Sequence, residues 1–167
     1  MLIGQVYLLR RDFDNAILEG QRLVELDPNG AESHWYLGLA LVFSGKPEEA
    51  IQSTEKAIRL CPFAPSHYYH ILALSHWCLG RYDKAIEQGE IAVKLDPKNQ
   101  LSVSILTMSY SSAGRMEEAK TQAANLLKIS PKYCVGRPGE DRFKDPAYNE
   151  AFKKTLNKAG VPYCASP

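Results

Sequence analysis

The sequence has no run of apolar residues approaching the ~18 that a membrane-spanning helix needs. It also lacks an excess of either charge: 20 Lys and Arg stand against 19 Asp and Glu, a formal net charge of +1. A protein that coats nucleic acid or an anionic membrane needs a basic surplus, so neither partner is expected. There is no Gly-rich phosphate loop, no GxSxG and no HExxH, so nothing points to a nucleotide cradle, a serine nucleophile or a zinc protease. Cysteine is sparse. Cys61, Cys78, Cys134 and Cys164 show no CxxC or zinc-like spacing. The opening Met1-Leu2-Ile3-Gly4-Gln5 has no basic n-region, and Arg10-Arg11-Asp12 interrupts it early. All four cysteines are therefore expected as reduced thiols in a cytoplasmic protein. The 167 residues are 45% hydrophobic, which is ordinary for one modest domain with a real core.

What is present is a repeat. Pro28, Pro62, Pro97 and Pro131 are spaced by 34, 35 and 34 residues, and each closes a similar phrase such as Leu26-Asp27-Pro28 or Leu95-Asp96-Pro97. Twelve residues before each proline stands an alanine: Ala16, Ala50, Ala85 and Ala119. Seventeen residues before the last three stands a glycine (Gly45, Gly80, Gly114), and the equivalent in the first unit is Arg11. Each unit reads as two helices joined by a tight turn. The glycine adopts the left-handed backbone angle that stops the first helix. The proline stops the second by disfavouring helix in the residue before it. The alanine lets two antiparallel helices approach closely. Gly4, Gly38, Ala73 and Thr107 hold the facing position, and their growing size predicts a crossing that loosens toward the C-terminus. Leu37, Leu41, Ile51, Ala57, Ile58 and Leu60 follow the helical period and form a buried stripe. One such pair cannot bury its own face; stacked pairs can.

On these residues the chain resembles the tetratricopeptide-repeat family over about residues 1–131. The second unit reads Trp35, Leu37-Gly38, Leu41, Gly45, Ala50, Thr54, Ala57, Pro62. Its aromatic is one place late, although His34 also fits the usual slot. The third unit reads Tyr69, Leu72-Ala73, His76, Gly80, Ala85, Gly89, Ala92, Pro97, and the fourth Val103, Leu106-Thr107, Tyr110, Gly114, Ala119, Ala123, Leu126, Pro131. The family's later aromatic is replaced by Gly20, Thr54, Gly89 and Ala123, which either brings neighbouring helices closer or leaves room for a partner side chain. The resemblance implies an all-α fold, a right-handed α-solenoid of stacked antiparallel helix pairs. Its expected units are a truncated repeat over 1–30 and repeats over 31–64, 66–99 and 100–133.

Met1 falls inside the first helix of the first unit. This predicts either a fragment of a longer protein, an open apolar face used for self-association (a homodimer among the expected partners), or a short frayed helix. Past Pro131, residues 132–144 read as a loop. A C-terminal capping helix is expected over 145–160, with Asp145 as N-cap, Pro146 in the first turn and Gly160 at the end, followed by a tail over 161–167. The stretches Arg142–Ala147 and Lys158–Pro162, with Pro62-Phe63-Ala64-Pro65, resemble repeat regions of bacterial proteins that are similar to adenylate or guanylate cyclases. No catalytic cyclase segment is present, so no activity is implied.

The family resemblance implies a groove lined by first helices. Carried onto this chain, the expected partner-binding residues are Trp35, Leu39, Val42, Phe43, His67, His70, Leu74, Trp77, Ser104 and Met108. Two tryptophans suit hot-spot contacts, because rigid rings bury much area at small entropic cost. The alternative is that the same side chains only pack between adjacent helices. Where co-chaperones of the family carry a cationic clamp for a terminal carboxylate, this chain has Met1, Gln5, Leu39, His67 and Ile71, so that ligand is not expected. His67, His70 and Cys78 share a helix face, but His67 and Cys78 lie ~16 Å apart along it, too far for one ion. No metal and no cofactor is expected. His76, in the family's Tyr slot, reads as a hydrogen-bonded core imidazole. Glu48-Glu49 and Glu117-Glu118 open second helices, where carboxylates suit the positive dipole end. The expected function is a non-catalytic scaffold for a peptide or partner protein, within a bacterial signalling or regulatory protein.

Overall fold

The structure, a computed structural model, describes residues 2–137 and 139–164, with side chains from residue 5 onward. Among the described residues there are nine helices: α1 (Leu2–Leu9), α2 (Phe13–Leu26), α3 (Ala31–Phe43), α4 (Pro47–Leu60), α5 (Ser66–Cys78), α6 (Tyr82–Leu95), α7 (Gln100–Ser112), α8 (Met116–Ile129) and α9 (Pro146–Lys158). None is long and apolar enough to cross a membrane. The only β feature among these residues is an isolated bridge between Val135 and Tyr163. This is the all-α solenoid that the repeat implies.

The intra-pair turns are one device used repeatedly. Gly45, Gly80 and Gly114 have φ of +84°, +68° and +79°. In each turn the following N–H reaches back five residues: Lys46 to Leu41, Arg81 to His76 and Arg115 to Tyr110, at 2.9, 2.9 and 3.0 Å. The first unit makes the same bond, Asp12 to Tyr7 at 2.9 Å, with Arg11 at φ +59° in the glycine position. A side chain there clashes with its own backbone, so Arg11 is a strained residue in a geometry that the other three turns share.

Helix partners pack as α1–α2, α3–α4, α5–α6 and α7–α8, and each second helix also packs on the next first helix. Contact declines from α3–α4 through α5–α6 to α7–α8, in the order of Gly38, Ala73 and Thr107, but the Gly4 pair departs from the expected series: the short α1 makes the least contact with its partner. A Cβ on Gly38 would collide with the Thr54 hydroxyl and lie 3.2 Å from the Ala50 carbonyl. The missing aromatics bring helices together. A Cβ on Gly20 would stand 3.0 Å from Leu37, and one on Gly89 would stand 3.1 Å from Leu106. Ala16, Ala50, Ala85 and Ala119 are fully buried at the crossings.

The first helices α3, α5 and α7 touch one another and form a continuous inner face. Helix α9 packs on α7 from this side, so it covers the last repeat and also faces the inner row. At the other end α1 leaves Val6 and Leu9 exposed, at 44% and 85%. The expected features at Met1 and over residues 165–167 lie outside the described residues.

Two local expectations are corrected. Cys134 and Cys164 are not thiols but a disulfide, with Cα atoms 4.9 Å apart; Cys61 and Cys78 are free. Short-range spacing could not reveal a pair 30 residues apart. It forms because Val135 accepts from the Cys164 N–H at 2.9 Å and donates to the Pro162 carbonyl at 3.0 Å. A persistent disulfide and a reducing cytoplasm oppose one another. His76 is buried, but its Nδ1 has no hydrogen-bond partner among the described residues. Burial, with Lys84 and Arg81 nearby, lowers its pKa and keeps the ring neutral.

Candidate functional site

The inner face is occupied by the chain itself. Described residues 132–137 lie with α5 residues His70, Ile71 and Leu74 around one cavity, and residues 141–144 meet the end of α3 and the α1–α2 turn. The closest approach is at Phe143 and Lys144. The Phe143 ring meets Phe43 edge-on at 5.2 Å between centroids and lies 5.5 Å from Tyr148. The Lys144 N–H donates to the Phe43 carbonyl at 2.8 Å. That carbonyl belongs to the last residue of α3, where the helix has no partner of its own to offer. The same happens one repeat later: the Tyr148 hydroxyl donates to the carbonyl of Cys78, last residue of α5, at 3.3 Å.

The far end is held by charge and main chain. Arg11 donates through its guanidinium to the carbonyls of Asp141 and Phe143, the latter at 3.0 Å. Lys144 pairs with Asp14 at 3.3 Å, an exposed contact of small energetic weight. The near end is closed by the disulfide and the Val135 bridge. Between them Asn149 braces the loop. Its Oδ1 accepts from the N–H groups of Arg142 and Phe143, both at 3.0 Å, and its Nδ2 donates to the Phe143 carbonyl at 3.0 Å. Nδ2 also reaches the Asp145 carbonyl at 3.4 Å, so four backbone groups meet one side chain, the Phe143 carbonyl sharing it with Arg11.

The ten expected groove residues can be placed against this segment. Trp35 is 9% exposed; its indole N–H donates to the His67 carbonyl at 3.1 Å and its ring contacts those of His67 and Tyr68. Trp77 is 5% exposed, donates to Ser112 Oγ at 2.8 Å and faces Tyr148 of α9. Phe43 lies under Phe143. Val42, Leu74, Ser104 and Met108 are buried in the core, Ser104 with its hydroxyl on the Leu101 carbonyl at 2.9 Å. Leu39 is half-buried, and His67 keeps a third of its side chain in solvent, 3.5 Å from Glu32. His70 is buried beside Ser102, with Nδ1 at 3.3 Å from the hydroxyl. The structure therefore joins Phe43, Leu74, Trp77 and His70 to the returning segment and sets Trp35 and His67 in a separate aromatic cluster with Tyr68. Arg11 and Asn149, which hold the segment, carry no mark in the sequence beyond Arg11 standing where glycine stands in the other units. Among the described residues no three His, Cys, Asp or Glu side chains converge as a metal site would require.

Stacked pairs, a shared turn and an inner face that binds an extended segment define a helical-repeat interaction scaffold. Two tetratricopeptide-repeat models match the chain, over residues 1–65 and 66–99. The chain belongs to the tetratricopeptide-repeat family. It is 27% identical over 150 residues to a DnaJ homolog subfamily C member 7 homolog of Schizosaccharomyces pombe, covering 81% of this chain and 32% of that protein. It thus spans about a third of that relative's length. Among solved structures it resembles MamA, with a TM-score of 0.68 at 23% identity over 95% of this chain and 93% of the other. It also resembles YrrB, described as a TPR protein with an unusual peptide-binding site, with a TM-score of 0.62 at 20% identity over 94% and 77% of the chains. At these identities the two structures support the fold.

Proposed function

We propose that this chain is a non-catalytic scaffold whose inner face takes an extended peptide with an aromatic anchor, the positions Trp77, Phe43 and Leu74 forming the floor of the site. The observation that carries this reading is the contact of Phe143 and Lys144 with Phe43. An extended stretch lays a ring on an apolar floor and gives its N–H to the free carbonyl at a helix end. A partner peptide has the same groups to offer. In this reading residues 141–148 are an in-chain ligand that a partner must displace or extend. The likeness of Arg142–Ala147 and Lys158–Pro162 to repeat regions of cyclase-like bacterial proteins supports placing the scaffold in a larger regulatory protein.

The test is selection of displayed random peptides on the full chain, its Trp77→Ala variant and its Phe143→Ala variant, with circular dichroism as a check on folding. Selected peptides should carry an aromatic residue, bind more tightly to Phe143→Ala, and lose affinity for a folded Trp77→Ala. Equal binding to all three would place the peptide elsewhere and end this reading.

Self-association is a second reading, supported by the exposed Val6 and Leu9 on α1. Light scattering on a concentration series, with Leu9→Lys as the control, tests it; a monomer at every concentration rejects it.

A further inference from the structure

The returning segment does not fill the space beneath it. Between α5, α7 and the segment lies a cavity of about 360 Å3, within the range of small-molecule sites. Its apolar lining includes Ile71, Leu74, Leu101, Ile105, Phe143 and Phe152. It shares Phe43, Leu74 and Phe143 with the peptide site above, and adds Ile71, Leu101, Ile105 and His70, which the peptide reading does not use.

The polar lining is unbalanced in a specific way. His70 lines the cavity and is 5% exposed. Its Nδ1 faces the hydroxyl of Ser102 at 3.3 Å, and fully buried Ser102 has no other side-chain partner among the described residues. In the tautomer in which the hydroxyl donates and Nδ1 accepts, the ring proton is on Nε2. That N–H has no acceptor among the described residues. Burial, with His67 and Arg142 nearby, holds the ring neutral by lowering its pKa to about 3.

Of the charged groups that line the cavity, both acids are already engaged. Asp141 pairs with Lys153 at 2.8 Å and Glu140 with Arg137 at 3.6 Å. Lys132 and Arg142 have no ion pair among the described residues, and Arg142 lies close enough to His70 to repel its protonated form. The lining thus combines the His70 ring and two cations without an ion pair, Lys132 and Arg142, with the apolar side chains of α5, α7 and α9.

We propose that this cavity binds a small amphipathic monocarboxylate, with the carboxylate on the His70 Nε2–H and Arg142 and the apolar body against Ile71, Leu101 and Ile105. A carboxylate accepts from both donors and meets the positive surplus, and a charged hydrogen bond is stronger than a neutral one. An apolar chain would displace water from a surface that offers it few partners.

The test is a titration of the full-length oxidised chain with sodium decanoate below its micellar range. It is followed by calorimetry and by the His70 ring resonances. Saturable one-to-one binding that moves His70 is expected, with decanol at least roughly ten-fold weaker. Arg142→Gln alters an exposed side chain, so it should leave thermal unfolding unchanged and weaken decanoate by roughly ten-fold. Leu101→Trp, which fills the cavity, should abolish binding in a chain whose circular dichroism is unaltered; should it not fold, the decanol comparison and Arg142→Gln carry the test. Absence of saturable binding, equal binding of decanol, silent His70 resonances, or an Arg142→Gln chain that binds like the parent would each overturn the proposal.

Discussion

Arg11 donates to the carbonyl of Phe143 across 132 residues of sequence, and it does so from a left-handed backbone angle that glycine holds in the other three units. The first turn keeps its hydrogen bond but carries strain, of order 1 kcal/mol for a non-glycine residue. The guanidinium uses that position to hold the far end of the returning segment.

Arg11→Gly separates the two effects. The turn should gain about 1 kcal/mol, since glycine adopts the angle freely. The amides of residues 141–144 should exchange faster with solvent deuterium, because the carbonyls beside them lose their donor. Hydrogen exchange read peptide by peptide checks this; unchanged exchange at Phe143 and Lys144 would mean that Asn149 and the Phe143 ring alone hold the segment.

Asn149→Ala removes four hydrogen bonds and leaves the N–H groups of Arg142 and Phe143 unpartnered. Orphaned buried groups cost about 1–3 kcal/mol each, but this loop can open to water. A loss of about 2–3 kcal/mol confined to the C-terminal segment is expected. Urea unfolding should show an early transition followed by that of the repeats; a single unshifted transition would count against the role given to Asn149.

Reduction of Cys134–Cys164 should act on the same segment. The disulfide closes a loop with a sequence separation of 30, and the chain-entropy treatment gives it about 3–4 kcal/mol. Dithiothreitol, or Cys134→Ser, should speed proteolysis between residues 136 and 161 and leave α2 to α8 protected. Equal cleavage rates in the oxidised and reduced chains would show that the α7–α9 packing suffices without the bond.

Stability should depend on pH through His70. Its ring is neutral in the folded chain, with pKa lowered to about 3 by burial first and by His67 and Arg142 next, whereas the unfolded ring titrates near 6.5. As pH falls below that value the unfolded state takes up the proton and the folded state does not, so stability declines from about pH 6.5 toward pH 3. Tyr133 faces the same region, and His76 is depressed in the same direction. The shift sets an upper bound of roughly 5 kcal/mol at the acid end. Replacing His70 with Asn should flatten this limb in thermal unfolding followed from pH 7 to pH 4. An equally steep decline in His70→Asn would assign the effect to other groups.

The solenoid was legible because its signals are local and repeated. Gly45, Gly80 and Gly114 stop helices by backbone sterics that need no distant partner, and Ala50 or Ala85 reports a close crossing within one unit. The Asp145 cap on α9 is equally local: its carboxylate accepts from the Ala147 N–H at 2.8 Å. Glycine at Gly20 and Gly89 could be seen as small but not as contact, because the residue each admits, Leu37 or Leu106, belongs to the next unit.

From the sequence alone came the helices, their turns and their pairing. Only the tertiary structure decided that described residues between 132 and 161 cover the inner face, that Cys134 meets Cys164, and that Arg11 and Asn149 hold the cover in place. The physical reason is range. Helix caps and crossings are set by residues three to seventeen apart and leave a periodic trace. The docking of the C-terminal segment is set once, between residues more than a hundred positions apart, by which carbonyls and rings the finished solenoid leaves free.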